Sequence, residues 1–216
     1  MKKNPPPLSE LTDYVNQERL TFLVDGVFAI TMTLLVLELR PPELDTTNLA
    51  AALQAMLPRL SIYLIAFYSI ANHWVVHQRM FRHVSDMDTT MLWLTILSLL
   101  FITLIPAATA LVGRFPGENL AVACFSANSF FHALSVWLFW AHLTRNQKRF
   151  ASRSDPRLLS ITSQVWLIIA FGWLVSIPLG FVNVYFAYAA WILWPNLVGL
   201  WANRKRSALH PIRYTR

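Results

Sequence analysis

The sequence predicts an all-α membrane protein with six transmembrane helices per chain, and three observations carry that prediction. Of its 216 residues, 56% are hydrophobic and only 13% charged, about half the charged share of an ordinary soluble domain. The apolar residues gather in blocks of about twenty, the length that spans a bilayer as a helix, separated by short polar connections. Lys and Arg also fall almost entirely into alternate connections, as the positive-inside rule requires of a multi-pass chain.

The segment before the first block, Met1 to Asp13, is rich in proline and acids and reads as no cleavable signal. The first span covers about 19–39, and Pro41-Pro42 stops it because proline has no amide donor. The second covers 57–80, with 50–56 either an interfacial helix or an extension of it. The third, fourth, fifth and sixth cover 90–112, 120–143, 158–180 and 181–202, with Gly180 as the only punctuation between the last two. Residues 203–216 form a short basic tail.

Of the 18 Lys and Arg residues, only Arg40, Arg59 and Arg114 fall on the side opposite the other fifteen, so both termini are expected in the cytoplasm. The net charge of +7 is explained by this topology, so no nucleic-acid partner is expected. Trp74, Trp140, Trp194 and Trp201 stand at block ends, where indoles anchor to headgroups. The single cysteine, Cys124, excludes an intrachain disulfide and a thiolate metal cluster.

Polar residues inside the spans are the candidates for function, because ionisable groups are expensive in hydrocarbon. On a helical wheel Ile30, Leu34 and Leu37 form one stripe, with Leu23 and Gly26 continuing it and Thr33 on its flank. Asp25 lies about 140° from Ile30 on that wheel and so faces away from the stripe. Its readings are a buried polar network, a proton or cation site, or a surface position. Partners are available at the end of the second span, in Asn72, His73, Trp74 and His77. His77 reads as a structural partner of Asp25, or alternatively as a pH sensor or metal ligand. His73 and His77 share a face at metal-binding spacing, but no HExxH-type acid or cysteine accompanies them. No catalytic motif is present, so no enzyme is expected. Thr95, Thr103, Ser126, Asn128, Ser129, His132 and Ser135 read as interhelical hydrogen-bonding groups.

Residues 18–42, ERLTFLVDGVFAITMTLLVLELRPP, resemble the opening helix of the transmembrane protein 175 family, which contains a lysosomal potassium channel and its prokaryotic relatives. Arg19, Asp25, Ala29, Ile30, Thr33, Leu34 and Leu35 fall in register with the family's Arg-x-x-x-Phe-Ser-Asp signature and the apolar run after it. Leu23 and Val24 stand where the family has Phe-Ser. ANHWVVHQRMF at 71–81 resembles the family's Trp-x-x-His segment, and LIPAATALVGRFPGENL at 104–120 resembles the end of its third span.

The resemblance implies a prokaryotic single-repeat member, in the inner membrane, assembled as a homotetramer with the first helix lining a central pore. It implies a potassium-permeable cation channel without cofactor, whose pore and gate residues are Ile30, Leu34 and Leu37, with Thr33 as the selectivity hydroxyl. Rings of Ile and Leu close or dewet a narrow pore, and adjacent hydroxyls partly replace ion hydration. Glu38 would concentrate monovalent cations at the outer mouth and Arg40 would oppose it, so selectivity over sodium is expected to be modest. Arg19 returns near the stripe at the cytoplasmic entrance, where it is expected to be neutralised or turned inward within a network of Arg19, Asp25, Trp74 and His77. The competing readings are a secondary transporter of a cation or small solute, for which no internal repeat is visible, and a non-conducting scaffold.

Overall fold

The protein is described here as a computed structural model covering residues 17–39, 48–85, 87–146 and 155–209, apart from the side chains of Glu38, Pro58 and Leu209. Among the described residues the regular secondary structure is helical apart from one isolated bridge residue, Val84. Helix α1 is Gln17–Leu34 and tightens into a 3-10 turn over Leu35–Leu39. It is followed by α2 (Leu49–Phe81), α3 (Thr89–Thr103), α4 (Ile105–Arg114), α5 (Asn119–Arg145), α6 (Pro156–Val182) and α7 (Val184–Leu209). Among the described residues five helical stretches are long and apolar enough to cross a membrane, and α2 makes a sixth if its bent halves count as one span.

Caps explain where several helices begin. Asn48 accepts from the amides of Ala50 and Ala51, so 50–56 belongs to α2 as an extension of the second span. The extension departs from the rest of α2 by 43° between Leu57 and Arg59, at Pro58, which has no amide to continue the ladder. Asp88 caps α3 through the Met91 amide at 2.8 Å and also accepts from His142 Nε2 at 2.8 Å, which ties the start of α3 to the end of α5. Asp155 caps α6, with Pro156 in its first turn.

The third span, 89–114, is broken at Leu104 because Pro106 cannot donate to the preceding turn. The turn between the last two spans differs from the expected one. Gly180 is inside α6, and Asn183 alone separates the helices, its extended backbone and its Oδ1 acceptor for Tyr185 N starting α7. Gly180 instead lets α6 approach α5, since a Cβ there would lie 2.9 Å from Val122.

The core forms where α1, α2, α3 and α5 meet. Leu20, Val24, Phe28, Thr31 and Leu35 recur at steps of three and four along α1 and are buried. They pack with Ile70 and Met80 of α2, Met91 and Ile102 of α3, and Phe139 and Leu143 of α5. The α5–α6 pair is the most extensive, and α7 lies outside it against α6. Trp140, expected as a headgroup anchor, is buried in this core instead. The polar groups divide. Ser126 bonds both Ser176 and Trp191, and Asn128 bonds the Phe101 carbonyl, across helices, whereas Thr95, Thr103 and Ser135 bond carbonyls of their own helix.

Helices α6 and α7 touch where Gly172 leaves room for the Trp194 indole, whose Nε1 donates to the Ile168 carbonyl at 2.9 Å. A methyl group at Gly172 would occupy the ring's position. Gly172→Ala is therefore expected to destabilise the protein by about 1–3 kcal/mol, the usual range for overpacking. Thermal unfolding in lipid nanodiscs checks this, with Gly199→Ala as the control because nothing lies within 4 Å of a Cβ there. Equal melting of the two variants would contradict the contact.

Candidate pore helix and its polar anchor

Helix α1 has two contrasting faces. Phe28 is fully buried against the core, whereas Ile30, Leu34 and Leu37 are 61, 45 and 52% exposed in the single chain. Leu23 and Gly26 continue the exposed face toward the start of the helix. The 3-10 turn affects its C-terminal end. In an α-helix a step of three residues falls about 60° short of a full turn, but in a 3-10 helix it closes one, so Leu37 is brought nearly above Leu34. The C-terminal end of the stripe is therefore straighter than the wheel implied.

Thr33 is exposed beside the stripe, and its hydroxyl donates to the Ile30 carbonyl at 2.8 Å. That bond fixes the hydroxyl proton inward and leaves oxygen lone pairs as the outward-facing feature. Thr33 also borders an open groove of about 460 Å³, lined with it by Ala29, Met32 and Val36 of α1 and by Tyr63 and Phe67 of α2. The Glu38 side chain and Arg40, expected at the outer mouth, lie outside the described residues.

The other face is anchored by Asp25. This half-buried carboxylate accepts at one oxygen from Trp74 Nε1 at 2.8 Å and from Gln78 Nε2 at 2.7 Å, both on α2. Gln17 Nε2 adds a bond to the Phe81 carbonyl at 2.9 Å. All three described side-chain bonds from α1 to α2 thus lie in the first half of α1, below the stripe. Two donors from one face of α2 converging on Asp25 constrain the rotation of α1 against α2.

Sequence reasoning placed Asp25 and Trp74 together, and the structure brings them together. His77 is a correction. It is buried on the neighbouring face of α2, where Nε2 meets Ser98 Oγ at 3.2 Å and its ring packs 5.4 Å from Phe28. Ser98 in turn meets His132 Nδ1 at 3.2 Å, and His73 stands edge-on to His132 at 4.4 Å. These histidines form a second polar centre joining α2, α3 and α5, apart from Asp25. Among the described residues no group of ligands is arranged to hold a metal ion. Gln78 was missed, although its place one turn after Trp74 puts it on the same face. Arg19 is exposed in the first turn of α1.

Five or six candidate spans among the described residues, with a first helix that carries an apolar, uncovered stripe, define a multi-pass helical membrane protein. Comparison with known proteins agrees. The family described as endosomal/lysosomal potassium channel TMEM175 matches residues 19–106. A potassium channel of Streptomyces collinus is 31% identical over 171 residues, covering 77% of this chain and 83% of the relative. A potassium channel of Chamaesiphon minutus is 28% identical, covering 77% and 85%. The solved structure of a TMEM175 homologue from that organism superposes with a TM-score of 0.75 at 24% identity, over 87% of this chain and 98% of the other, and so shares the fold. The chain belongs to the TMEM175 family, whose members are ion channels and not enzymes.

Proposed function

We propose that this chain is a potassium-permeable cation channel that works as a homotetramer, with α1 of each subunit lining a central pore. The observation that carries this reading is the uncovered stripe of Ile30, Leu34 and Leu37 on a helix whose opposite face is held by Asp25. The names of the bacterial relatives support potassium as the permeant ion. Facing one another across an axis, these side chains form a hydrophobic constriction that gates by dewetting. The Thr33 oxygens beside it supply partial replacement for ion hydration, and Glu38 at the outer mouth attracts monovalent cations. Hydroxyls and an apolar ring offer far fewer ligands than a carbonyl filter, so preference for potassium over sodium is modest. The positive-inside pattern supports cytoplasmic placement of both termini, and the bacterial sources of the relatives support a prokaryotic inner membrane.

A transporter would need polar half-helix ends at a midplane site. The break at Leu104 supplies a broken span, but the Phe101 carbonyl beside it is already taken by Asn128 at 3.0 Å. Planar-bilayer recording with potassium and sodium on opposite sides tests the reading. Unitary currents with a reversal potential displaced a little toward potassium are expected. Saturable flux without unitary steps would favour a transporter, and silence from intact oligomer would favour a scaffold.

A further inference from the structure

At the end of the last span, the run Arg204, Lys205, Arg206 meets the start of the α6 helix in an arrangement that membrane topology alone does not require. Lys205 Nζ donates to Gln164 Oε1 at 2.9 Å, and Arg206 donates to Thr162 Oγ1 at 3.2 Å. Lys205 Nζ also stands 4.9 Å from the centre of the Trp201 ring. Both cations are therefore held in place, and both by neutral oxygens.

An ammonium has three donors and a guanidinium five, so each group keeps donors after its bond to α6. Basic side chains are usually either solvated and mobile or paired with a carboxylate. Here two of them bond neutral oxygens, with no carboxylate partner among the described residues, beside the exposed Trp201, and indoles in membrane proteins favour headgroup depth. Arg204 is exposed beside them and adds to the field. An acidic side chain would have neutralised the pair, and none is described there. What fits is a phosphodiester anion presented from the bilayer at headgroup depth.

We propose that Lys205 and Arg206, clamped on Gln164 and Thr162, form a binding site for the phosphate of an anionic phospholipid between the ends of α6 and α7. The lipid would staple the last helix, which packs mainly on α6, to the body of the protein. The inference rests on membrane embedding and not on conduction, so it stands or falls separately from the channel reading.

The test uses full-length protein in nanodiscs of phosphatidylcholine with or without phosphatidylglycerol, with retained lipid counted by native mass spectrometry. Each basic group near the headgroups strengthens anionic binding several-fold, so neutralising both in Lys205→Gln/Arg206→Gln is expected to weaken phosphatidylglycerol retention by about thirtyfold. Phosphatidylcholine retention should not change. Unchanged phosphatidylglycerol retention in the double variant would overturn the site. Inorganic phosphate in phosphatidylcholine discs forms a second arm: if it displaces added phosphatidylglycerol at millimolar concentration, the pocket takes a soluble anion and the lipid assignment is wrong. Should the double variant fold poorly, Gln164→Leu/Thr162→Val removes the clamps without removing charge and is expected to lower retention several-fold. Retention by that variant equal to wild type would likewise count against a built site.

Discussion

Replacing Ile30 with asparagine is expected to raise the potassium current through reconstituted protein by about tenfold or more. An apolar ring excludes water from a narrow pore, and an ion that crosses it leaves part of its hydration behind. An amide in each subunit restores hydrogen-bonding partners for water at that level, and a barrier lowered by about 1.4 kcal/mol already multiplies the rate tenfold. Ile30 is the most exposed of the three stripe residues, and its side chain makes little of the fold. The gain should therefore come without loss of thermal stability. Single-channel recording separates the two ways this can appear, a larger unitary current or a higher open probability. A fall in current with intact oligomer would place the constriction elsewhere.

The second large effect is expected at Asp25. Asp25→Ala leaves the Trp74 and Gln78 donors without their acceptor and removes the anchor of α1 on α2. Charge-assisted bonds argue for a loss of up to about 3 kcal/mol, whereas interhelical bonds measured in membranes average below about 1. Two donors converge on one carboxylate oxygen here, so the upper part of that range is expected. Asp25→Asn keeps an acceptor oxygen and should lose less than half as much. The pair of variants also separates a structural anchor from an ion site. An anchor makes stability and current fall together, more in Ala than in Asn. A cation site would let Asn retain full stability while losing conduction.

The spans were legible because hydrocarbon imposes a length and an apolar composition that short polar connections cannot imitate. The two faces of α1 were legible for the same reason: an aspartate in that setting has to turn toward other helices, which fixes the stripe opposite. The partner of Asp25 was only half legible. His73 and His77 repeat four apart on α2, and so do Trp74 and Gln78, one residue and about 100° further round. Either pair satisfies the periodicity, and only the rotation of α2 in the packed structure turns the indole and amide toward Asp25, His77 toward Ser98 and His73 toward His132. The turn at Asn183 was missed because glycine is the commoner breaker, while Gly180 is used for close approach to Val122. The 3-10 end of the first helix carries no sequence signal, since Leu35–Leu39 is as compatible with continued α-helix.

The central claim, that the Ile30 face of α1 borders an aqueous pore, is tested most directly by thiol accessibility. Cys124 is exposed and is first replaced by serine, after which Ile30→Cys is introduced and a membrane-impermeant cationic thiol reagent is applied during recording. Rapid, irreversible change of the current is expected at Ile30, and none at Phe186→Cys, an equally apolar exposed position on α7. Reaction at Phe186 with silence at Ile30 would put the stripe against lipid or another helix and remove α1 from the pore.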